Sequence, residues 1–396
     1  MIALIISFCF LGIILYKRVN LGVSLSLTAL LLALLSLDWN MFLFVIFKTV
    51  TDVSMISVMF AAFGIMVISQ LYKETKAIGR LSDSLSKMIH NSKLVVAVLP
   101  AIIGLLPVAG GALMSAPLVE SEADKLGLSP EKKTYVNIWF RHTIFPVYPI
   151  SQVLILTEKL TGATVTSIII RQIPVVISMI VVGYFLSFWR IKTVNEEEFS
   201  STHIGLELKK FIVAFSPIFV TIIIAVFTNL DVSVAILAGI ITLLLITRPS
   251  IAAIKKPFNN STTYSIAFAV FGAFFLRNIV ERTGISQIFG SLVIDGSSGL
   301  LLLLILVPAA LAFFVGSPLG AIAISASLLG SLVVFNSRNA ALLYIASYLS
   351  YVVAPTHLCL VLTADYFKGS FQKIYRCLIP SVVVSLATAV LIYVFV

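Results

Sequence analysis

The sequence contains very little charge for its length. Asp, Glu, Lys and Arg make up only 11% of its 396 residues, whereas 60% are hydrophobic, and the mean hydropathy is +1.11. Soluble domains carry about 25% charged residues, so the composition excludes a soluble fold. It predicts an all-α polytopic membrane protein with about ten crossings, organised as one membrane unit rather than as several soluble domains.

Several motifs that would indicate an enzyme or an ATP-driven pump are missing from the sequence. There is no Gly-x-x-x-x-Gly-Lys-Ser/Thr loop, and neither the His-Glu-x-x-His nor the Gly-x-Ser-x-Gly motif of hydrolases occurs. No Asp or Glu lies in the middle of an apolar segment, which disfavours a cation/proton antiporter because that class needs an intramembrane acid as its proton relay. The three cysteines have no paired spacing, so we expect neither a disulfide framework nor a metal centre.

Most of the positive charge lies between the apolar segments. If the pair Lys17-Arg18 is cytoplasmic, the alternation of segments places five further basic stretches on the same side, at residues 73–93, 120–133, 190–210, 248–256 and 368–376. The positive-inside rule accounts for this distribution, so the net charge of +10 requires no nucleic-acid partner. The pattern predicts a multi-pass protein of the cell membrane with both termini extracytoplasmic. Within it, residues 73–93 have the periodicity of an amphipathic helix on the membrane surface.

Two hydrophobic stretches are interrupted by tips rich in proline and glycine. Residues 105–117 read Leu-Leu-Pro-Val-Ala-Gly-Gly-Ala-Leu-Met-Ser-Ala-Pro, and residues 315–320 read Val-Gly-Ser-Pro-Leu-Gly. The arms of the first tip are too short to cross a hydrocarbon core of about 30 Å. The two interrupted stretches are therefore predicted to form re-entrant hairpins at 94–119 and 300–335. For the first, the alternative is a loop between two soluble-type helices. Irregular backbone at membrane depth must be buried in protein or line a cavity, so each tip is predicted to form part of a substrate site.

Two other helices contain prolines at which a helix cannot continue. The helix predicted at 134–158 is interrupted by Phe145-Pro-Val-Tyr-Pro149, and the one at 340–366 by Ala354-Pro-Thr-His357. Proline has no N–H group to donate and clashes with the carbonyl four residues earlier. Both helices are therefore predicted to be broken.

The order of segments occurs twice along the chain. Phe63-Gly64 aligns with Phe271-Gly272, 208 positions later, and Pro149 aligns with Pro355, 206 positions later. The sequence predicts a first repeat at 1–190, a cytoplasmic linker at 191–208 and a second repeat at 209–396. The charge pattern makes the first hairpin enter from the inside and the second from the outside. Such inverted repeats occur in many secondary transporters, whose site lies near the bilayer midplane.

Hairpin tips and broken helices together define a candidate binding site. Four helix ends that meet there would present free N–H groups and partial positive charge to an anion, and free carbonyls to a cation. The glycines would allow close approach of a ligand, or else close helix packing. The predicted substrate- and ion-binding residues are Ala109, Gly110, Gly111, Ser115, Arg141, His142, Tyr148, Ser151, Gly316, Ser317, Gly320, Thr356 and His357.

For three of these residues the sequence leaves alternatives open. His357 could donate to a carboxylate or carry a proton, or it could be satisfied by a neighbouring carbonyl. Arg141 is predicted to face a cavity or a partner, but a long side chain could also reach back to the cytoplasm. Tyr148 could bond to a ligand or serve only in aromatic packing.

The two hairpins, the two broken helices and the linker together resemble the ion-transporter superfamily, which includes divalent-anion/sodium symporters and citrate and gluconate permeases. The stretches 105–117 and 141–149 are most similar to a prokaryotic integral-membrane family labelled as a domain of unknown function (type 401). The resemblance implies a homodimer with an elevator motion, and sodium as a possible coupling ion. Relatives with known substrates carry Ser-Asn-Thr motifs at the tips and breaks. Here only the hydroxyls of Ser115, Ser317 and Thr356 remain, and the Asn is absent.

The sequence thus predicts a secondary active transporter of a small organic anion, of the carboxylate class, coupled to sodium or protons. It is predicted to act in the lipid bilayer without a cofactor other than a possible sodium ion, and without enzymatic activity. The alternatives are an ion exchanger or channel-like protein without an organic substrate, and an intramembrane enzyme or scaffold.

Overall fold

The protein is all-helical in the part of the chain that the structure describes. The structure, a computed structural model, describes residues 2–17, 19–89, 91–106, 111–191, 204–228, 230–283, 297–330 and 332–395. Within these ranges the chain forms helices, turns and connecting segments, and no strand. The predicted all-α fold class is confirmed.

The helices fall into two series along the chain. The first comprises α1 (Ile2–Tyr16), α2 (Leu21–Ser36), α3 (Trp39–Val50), α4 (Val53–Glu74), α5 (Ala77–Met88), α6 (Ser92–Gly104), α7 (Ala112–Lys125), α8 (Pro130–Thr143), α9 (Gln152–Thr161) and α10 (Val165–Phe188). The second comprises α11 (Ile204–Phe227), α12 (Val232–Thr247), α13 (Ile251–Lys255), α14 (Ser261–Arg282), α15 (Ser297–Val315), α16 (Pro318–Leu329), α17 (Ser337–Val353), α18 (Leu358–Phe367) and α19 (Phe371–Phe395).

Six helical segments in the described ranges are long and apolar enough to cross a membrane. They are α4, α10, α11, α14, α19 and the segment Ser337–Phe367, which contains α17 and α18. Further apolar helices, such as α2 and α12, are shorter. The protein is therefore built as a membrane protein.

Acidic side chains begin several of these helices. Asp38 accepts a hydrogen bond from the N–H of Met41 at the start of α3, and Asp52 accepts one from the N–H of Ser54 at the start of α4. Asp231 caps α12 in the same way. Each cap satisfies a backbone donor that the helix cannot, which is worth about 1 kcal/mol. Part of the small acidic complement is thus used to fix helix starts.

Contacts between helix ends define two opposite ends of the helix bundle. At the first, which we call the basic end, the contacts are the pairs Glu74–Lys256, Glu131–Lys373, Glu120–Tyr366 and the bond from Lys93 to the carbonyl of Ile191. At the opposite end they are Asp231–Ser57, Asn278–Thr49 and the bond from Arg277 to the carbonyl of Lys159. The basic end brings together stretches that the charge pattern assigns to one side of the membrane.

Helices α2 and α14 pack closely through paired glycines. A Cβ atom on Gly22 would lie 2.6 Å from the backbone of Phe268, and one on Gly272 would lie 2.8 Å from Cβ of Leu25. Neither position can accept a side chain without moving the other helix. Small residues allow this kind of approach between membrane helices, where van der Waals contact supplies much of the packing energy.

Two predictions differ from the structure, and a third concerns residues that the structure does not describe. The apolar face of α5, with Ile78, Leu81 and Leu85, is buried, and Leu85 belongs to a cluster with residues of α6 and with Phe211 of α11. The expectation of an apolar face lying on the membrane surface was therefore wrong, because protein covers it. Helix α11 begins at Ile204, inside the stretch predicted as polar linker. The tip residues 107–110 lie outside the described ranges.

Candidate functional site

Both helices that were predicted to break at prolines are interrupted in the structure. Helix α8 ends at Thr143, a 3₁₀ turn covers Phe145–Val147, and α9 begins at Gln152. Helix α17 ends at Val353, and α18 begins at Leu358. The side chains at the N-cap positions of α9 and α18 accept no hydrogen bond from the helix. The first N–H groups of both helices are therefore not capped by a side chain.

Tyrosines of α17 satisfy the carbonyls that the prolines of the first break leave open. Pro146 and Pro149 offer no N–H to the carbonyls four residues earlier, which belong to His142 and Phe145. The hydroxyl of Tyr348 donates to the His142 carbonyl at 3.0 Å, and the hydroxyl of Tyr344 donates at 3.3 Å to the Phe145 carbonyl, which also accepts a bond from the backbone N–H of Tyr148 at 3.1 Å. One helical turn of α17 thus holds the first break in place.

A cavity of about 390 Å³ lies between the two breaks, α14 and the tip between α15 and α16. This volume is in the range of pockets for small molecules. The side chains of α8, the first break, the tip and α17 that contribute polar groups to its wall include Arg141, His142, Ser151, Ser317, Tyr348 and Tyr351. The remainder of the wall is largely apolar.

The helices that begin at the two breaks and at the second tip have their N-termini at the wall of this cavity. Its wall includes the first residues of α9 (Gln152 and Val153), of α16 (Pro318 and Leu319) and of α18 (Leu358 and Cys359). Each helix N-terminus carries a partial positive charge of about half an elementary charge. Free N–H groups and partial charge at a helix start form a ready site for an anion.

Arg141 adds a full positive charge to the same cavity. Its side chain is buried, with 3% of the residue exposed. Nη2 donates to the carbonyl of Leu106 at 3.3 Å, whereas Nη1 is buried and has no hydrogen-bond partner among the described residues. The described lining of the cavity contains no Asp, Glu or Lys. Arg141 therefore lies at the cavity with no acidic side chain among the described lining residues.

Two histidines meet beside Arg141. The rings of His142 and His357 pack edge to face with their centroids 4.9 Å apart, and the ring of Tyr351 lies 4.1 Å from that of His357. His142 lines the cavity, whereas His357 lies behind it and is 1% exposed. The pair joins α8 to the second break.

Both tips contact a broken helix. At the first, Leu106 accepts the bond from Arg141. At the second, Gly316 has a φ of +66°, and a Cβ atom there would lie 2.9 Å from Cβ of Thr356 and 3.0 Å from its carbonyl oxygen. The second tip thus requires glycine both for its backbone conformation and for its close approach to the second break.

The predicted site residues fall into three groups. Those that line the cavity are Arg141, His142, Tyr148, Ser151, Gly316 and Ser317. Those engaged in other contacts are Ser115, which donates to Asn137 at 2.6 Å, Gly320, which packs on Leu21, Thr356, which donates to the carbonyl of Phe313, and His357. Gly111 is the N-cap residue that precedes α7, and Ala109 and Gly110 lie outside the described residues.

Sequence reasoning missed the tyrosine series of α17. Tyr344, Tyr348 and Tyr351 recur at helical spacing, and the last two line the cavity. Their spacing of four and three residues places them on one helix face. That pattern, next to a proline break, was the available signal.

Two comparisons with known proteins bear on this fold. The search of curated proteins gave no match. Among solved structures, the crystal structure of the YdaH transporter of Alcanivorax borkumensis, described as having an unusual topology, matches with a TM-score of 0.66 at 14% sequence identity. The match covers 97% of this chain and 98% of that one, so the two share a fold over almost their whole length. A family profile described as "Protein of unknown function (DUF401)" matches residues 2–396, and the chain belongs to that family.

Proposed function

We propose that the protein is a secondary active transporter that carries a small organic anion, of the carboxylate class, across the cell membrane of a prokaryote, coupled to sodium or protons. The observation that carries the proposal is the buried guanidinium of Arg141, which has no acidic side chain among the described lining residues, at a cavity with helix N-termini at its wall. The fold shared with the YdaH transporter supports a transport role.

The charge of the cavity favours an anion. Placing an arginine in the middle of a membrane helix costs about 2.5–3.5 kcal/mol, and such residues usually face a cavity or a partner. An anion in the cavity would offset this cost and would also interact with the helix N-termini. A carboxylate can accept two parallel bonds from one guanidinium. With Nη2 held by Leu106, the free Nη1 of Arg141 is the donor that a carboxylate would engage.

Alternating access would follow from two inverted repeats with re-entrant hairpins. In support, α4 and α14 each have 22 residues and begin 208 positions apart, while α9 and α18 each have 10 residues and begin 206 positions apart. Lys93, near the start of α6, and Glu120, in the second half of α7, both make contacts at the basic end. A re-entrant hairpin requires both of its arms to reach the same end of the bundle. A homodimer with an elevator motion completes the proposal, on the strength of the family resemblance.

Uptake into proteoliposomes tests this function. Purified protein would be assayed with radiolabelled succinate, citrate and gluconate, under an inward sodium gradient, an inward proton gradient, or neither. We expect uptake of at least one anion above protein-free vesicles. Arg141→Gln should lower the affinity by about 10- to 100-fold, because a charge-assisted bond worth about 1.5–3 kcal/mol is lost.

Arg277→Gln is the matched control. Arg277 is paired with Glu281 at the opposite end of the bundle, away from the cavity. It should leave the affinity unchanged. Uptake by Arg141→Gln at the wild-type affinity, or an ion current without uptake of any of the three anions, would reject the proposal.

A further inference from the structure

One nitrogen of His357 is buried without a hydrogen-bond partner. Nε2 contacts no donor or acceptor among the described residues, and the residue is 1% exposed. Buried polar side-chain atoms nearly always have a partner, and leaving one unpaired costs about 1–3 kcal/mol. A free Nε2 in the interior therefore requires a reason.

The other nitrogen fixes the protonation pattern of the ring. Nδ1 of His357 lies 3.2 Å from the carbonyl oxygen of Val352, and Nδ1 of His142 lies 2.6 Å from the carbonyl oxygen of Ile138. A carbonyl oxygen can only accept, so each Nδ1 must carry the hydrogen. In the neutral ring Nε2 then holds the lone pair, and it is the atom that can take up a proton.

The groups around the histidine pair supply one fixed positive charge. The titratable and charged side chains of the neighbouring elements are Arg141 on α8, Tyr148 at the first break, Tyr348 and Tyr351 on α17, Cys359 on α18 and Tyr375 on α19. No carboxylate is among these described neighbours. A proton added to His357 in the empty site would therefore stand next to Arg141 with no counter-charge.

We propose that Nε2 of His357 is the proton-binding atom of this protein, so that a dianion is carried together with a proton. The inference rests on the proposed transport function. When a change in conformation opens Nε2 to water, a hydronium ion gives its proton to this nitrogen, which forms an imidazolium and leaves water. On the other side of the membrane the imidazolium returns the proton to water.

The coupling follows from charge balance. In the empty site a second positive charge beside Arg141 is unfavourable, whereas a bound anion stabilises it. By linkage, the proton then raises the affinity for the anion by the same factor. Arg141 alone balances a monoanion, and a dianion leaves one negative charge for the imidazolium. Succinate should thus bring a proton with it, and propionate should not.

Proteoliposomes that contain the pH indicator pyranine test the proposal with succinate as the probe. In the wild type, an acidic exterior should drive succinate accumulation, and the interior should acidify as succinate enters. In His357→Gln, accumulation driven by the proton gradient should fall by about 10-fold or more, while exchange of external for internal succinate persists. This exchange shows that the variant is folded. His203→Gln, which alters a histidine outside the described residues, is the control and should behave as the wild type.

A second measurement does not depend on a folded variant. The protein would be prepared with ¹⁵N-labelled histidine rings and held at a pH at which the ring of His357 is neutral without succinate. In the wild type, adding succinate should convert the signal of His357 from the neutral form to imidazolium. An unchanged signal in the presence of bound succinate overturns the proposal, as does internal acidification that persists in His357→Gln. Succinate uptake driven by sodium without acidification overturns it and leaves the transport function standing. If no anion is taken up under either gradient, the proposed function fails and the proton site with it.

Discussion

Arg141 and His357 lie on opposite sides of the breaks in their two helices. Arg141 precedes the first break, and the corresponding position of the second broken helix, 206 residues later, is Ser347. His357 follows the second break, and the corresponding position of the first is Ser151. The first half of the chain therefore supplies the fixed charge of Arg141 and the imidazole of His142, and the second half supplies the imidazole of His357.

The breaks also differ in which groups donate hydrogen bonds to their backbone carbonyls. At the first, tyrosine hydroxyls of α17 donate to the carbonyls of His142 and Phe145, and the backbone N–H of Tyr148 also donates to that of Phe145. At the second, the carbonyl of Val352 lies within bonding distance of Nδ1 of His357, and that of Val353 accepts a bond from the hydroxyl of Tyr375 at 2.9 Å. The imidazole ring that bonds to the second break through Nδ1 thus keeps Nε2 without a partner among the described residues. Similar backbone interruptions in the two halves can therefore hold different chemistry.

The two tips are best compared by adding one methyl group to a glycine of each. Gly316→Ala places a Cβ atom at a φ of +66° and against the backbone of Thr356, so we expect a loss of about 1–3 kcal/mol of stability. Gly111→Ala, at a φ of −58°, should cost far less. Thermal unfolding in detergent measures both. Equal losses at the two tips would remove this difference between them.

Removing single hydroxyls tests how each break is held. Tyr348→Phe leaves the buried carbonyl of His142 without its donor and should destabilise the protein by about 1–3 kcal/mol. Tyr375→Phe should cost less, because that bond is only partly buried. Unfolding midpoints of the two variants compare the breaks directly. A larger loss for Tyr375→Phe would reverse the ranking.

Ser151→Ala tests whether the serine that corresponds to His357 contacts the ligand. The serine lines the cavity, and its side chain accepts no bond from α9. We therefore expect little change in stability and a loss in affinity of several-fold for a transported anion, as for one neutral hydrogen bond of about 1 kcal/mol. Ser178→Ala, in α10, is the control. Unchanged affinity in Ser151→Ala would place the ligand away from the first break.

The smallest effect is expected at the starts of the two broken helices. Glu131 lies in the first turn of α8, whereas α17 has no acid there. A bond to its own backbone N–H lowers the pKa of Glu131 against a smaller desolvation effect, and Ser129 and Lys373 lower it further. Because the pKa is lower in the folded state, the ionised carboxylate stabilises the fold at pH values above its unfolded pKa of about 4.3. This stabilisation is lost as the pH falls through the folded pKa.

Glu131→Gln should therefore cost less than about 1 kcal/mol at pH 7, and the difference from wild type should vanish in acid. Stability of both proteins across pH 3–7 measures it. A difference that grew as the pH fell would contradict this assignment.

Prolines and glycines made much of the local structure predictable. Pro146, Pro149 and Pro355 remove backbone donors, and helix boundaries fall beside them, whereas other prolines, such as Pro174 and Pro380, lie inside continuous helices. Gly316 likewise occupies a position where a side chain would be strained. The predicted resemblance to the DUF401 family is confirmed by the match over residues 2–396, whereas the assignment to the wider superfamily stays a prediction.

Helix α5 shows where pattern reasoning failed. The periodicity of Ile78, Leu81 and Leu85 correctly indicates one apolar face, but it does not say what covers that face. A membrane surface and a protein surface present the same hydrophobic environment to such a pattern. The cover, formed in part by α6 and α11, depends on segments distant in the sequence.

By itself, the sequence determined that this is an all-helical membrane protein with interruptions at known positions, because composition and proline stereochemistry act locally. Only the tertiary structure decided that Arg141 lies at a cavity with no acidic side chain among the described lining residues, that His142 meets His357, and that α17 supplies the hydroxyls for the first break. These contacts join residues about 200 positions apart, and no local rule fixes which distant side chains meet. The physical reason is that a buried polar group has no water to bond to. The side chains that meet it in the fold therefore decide whether it is satisfied or left free to bind a ligand or a proton.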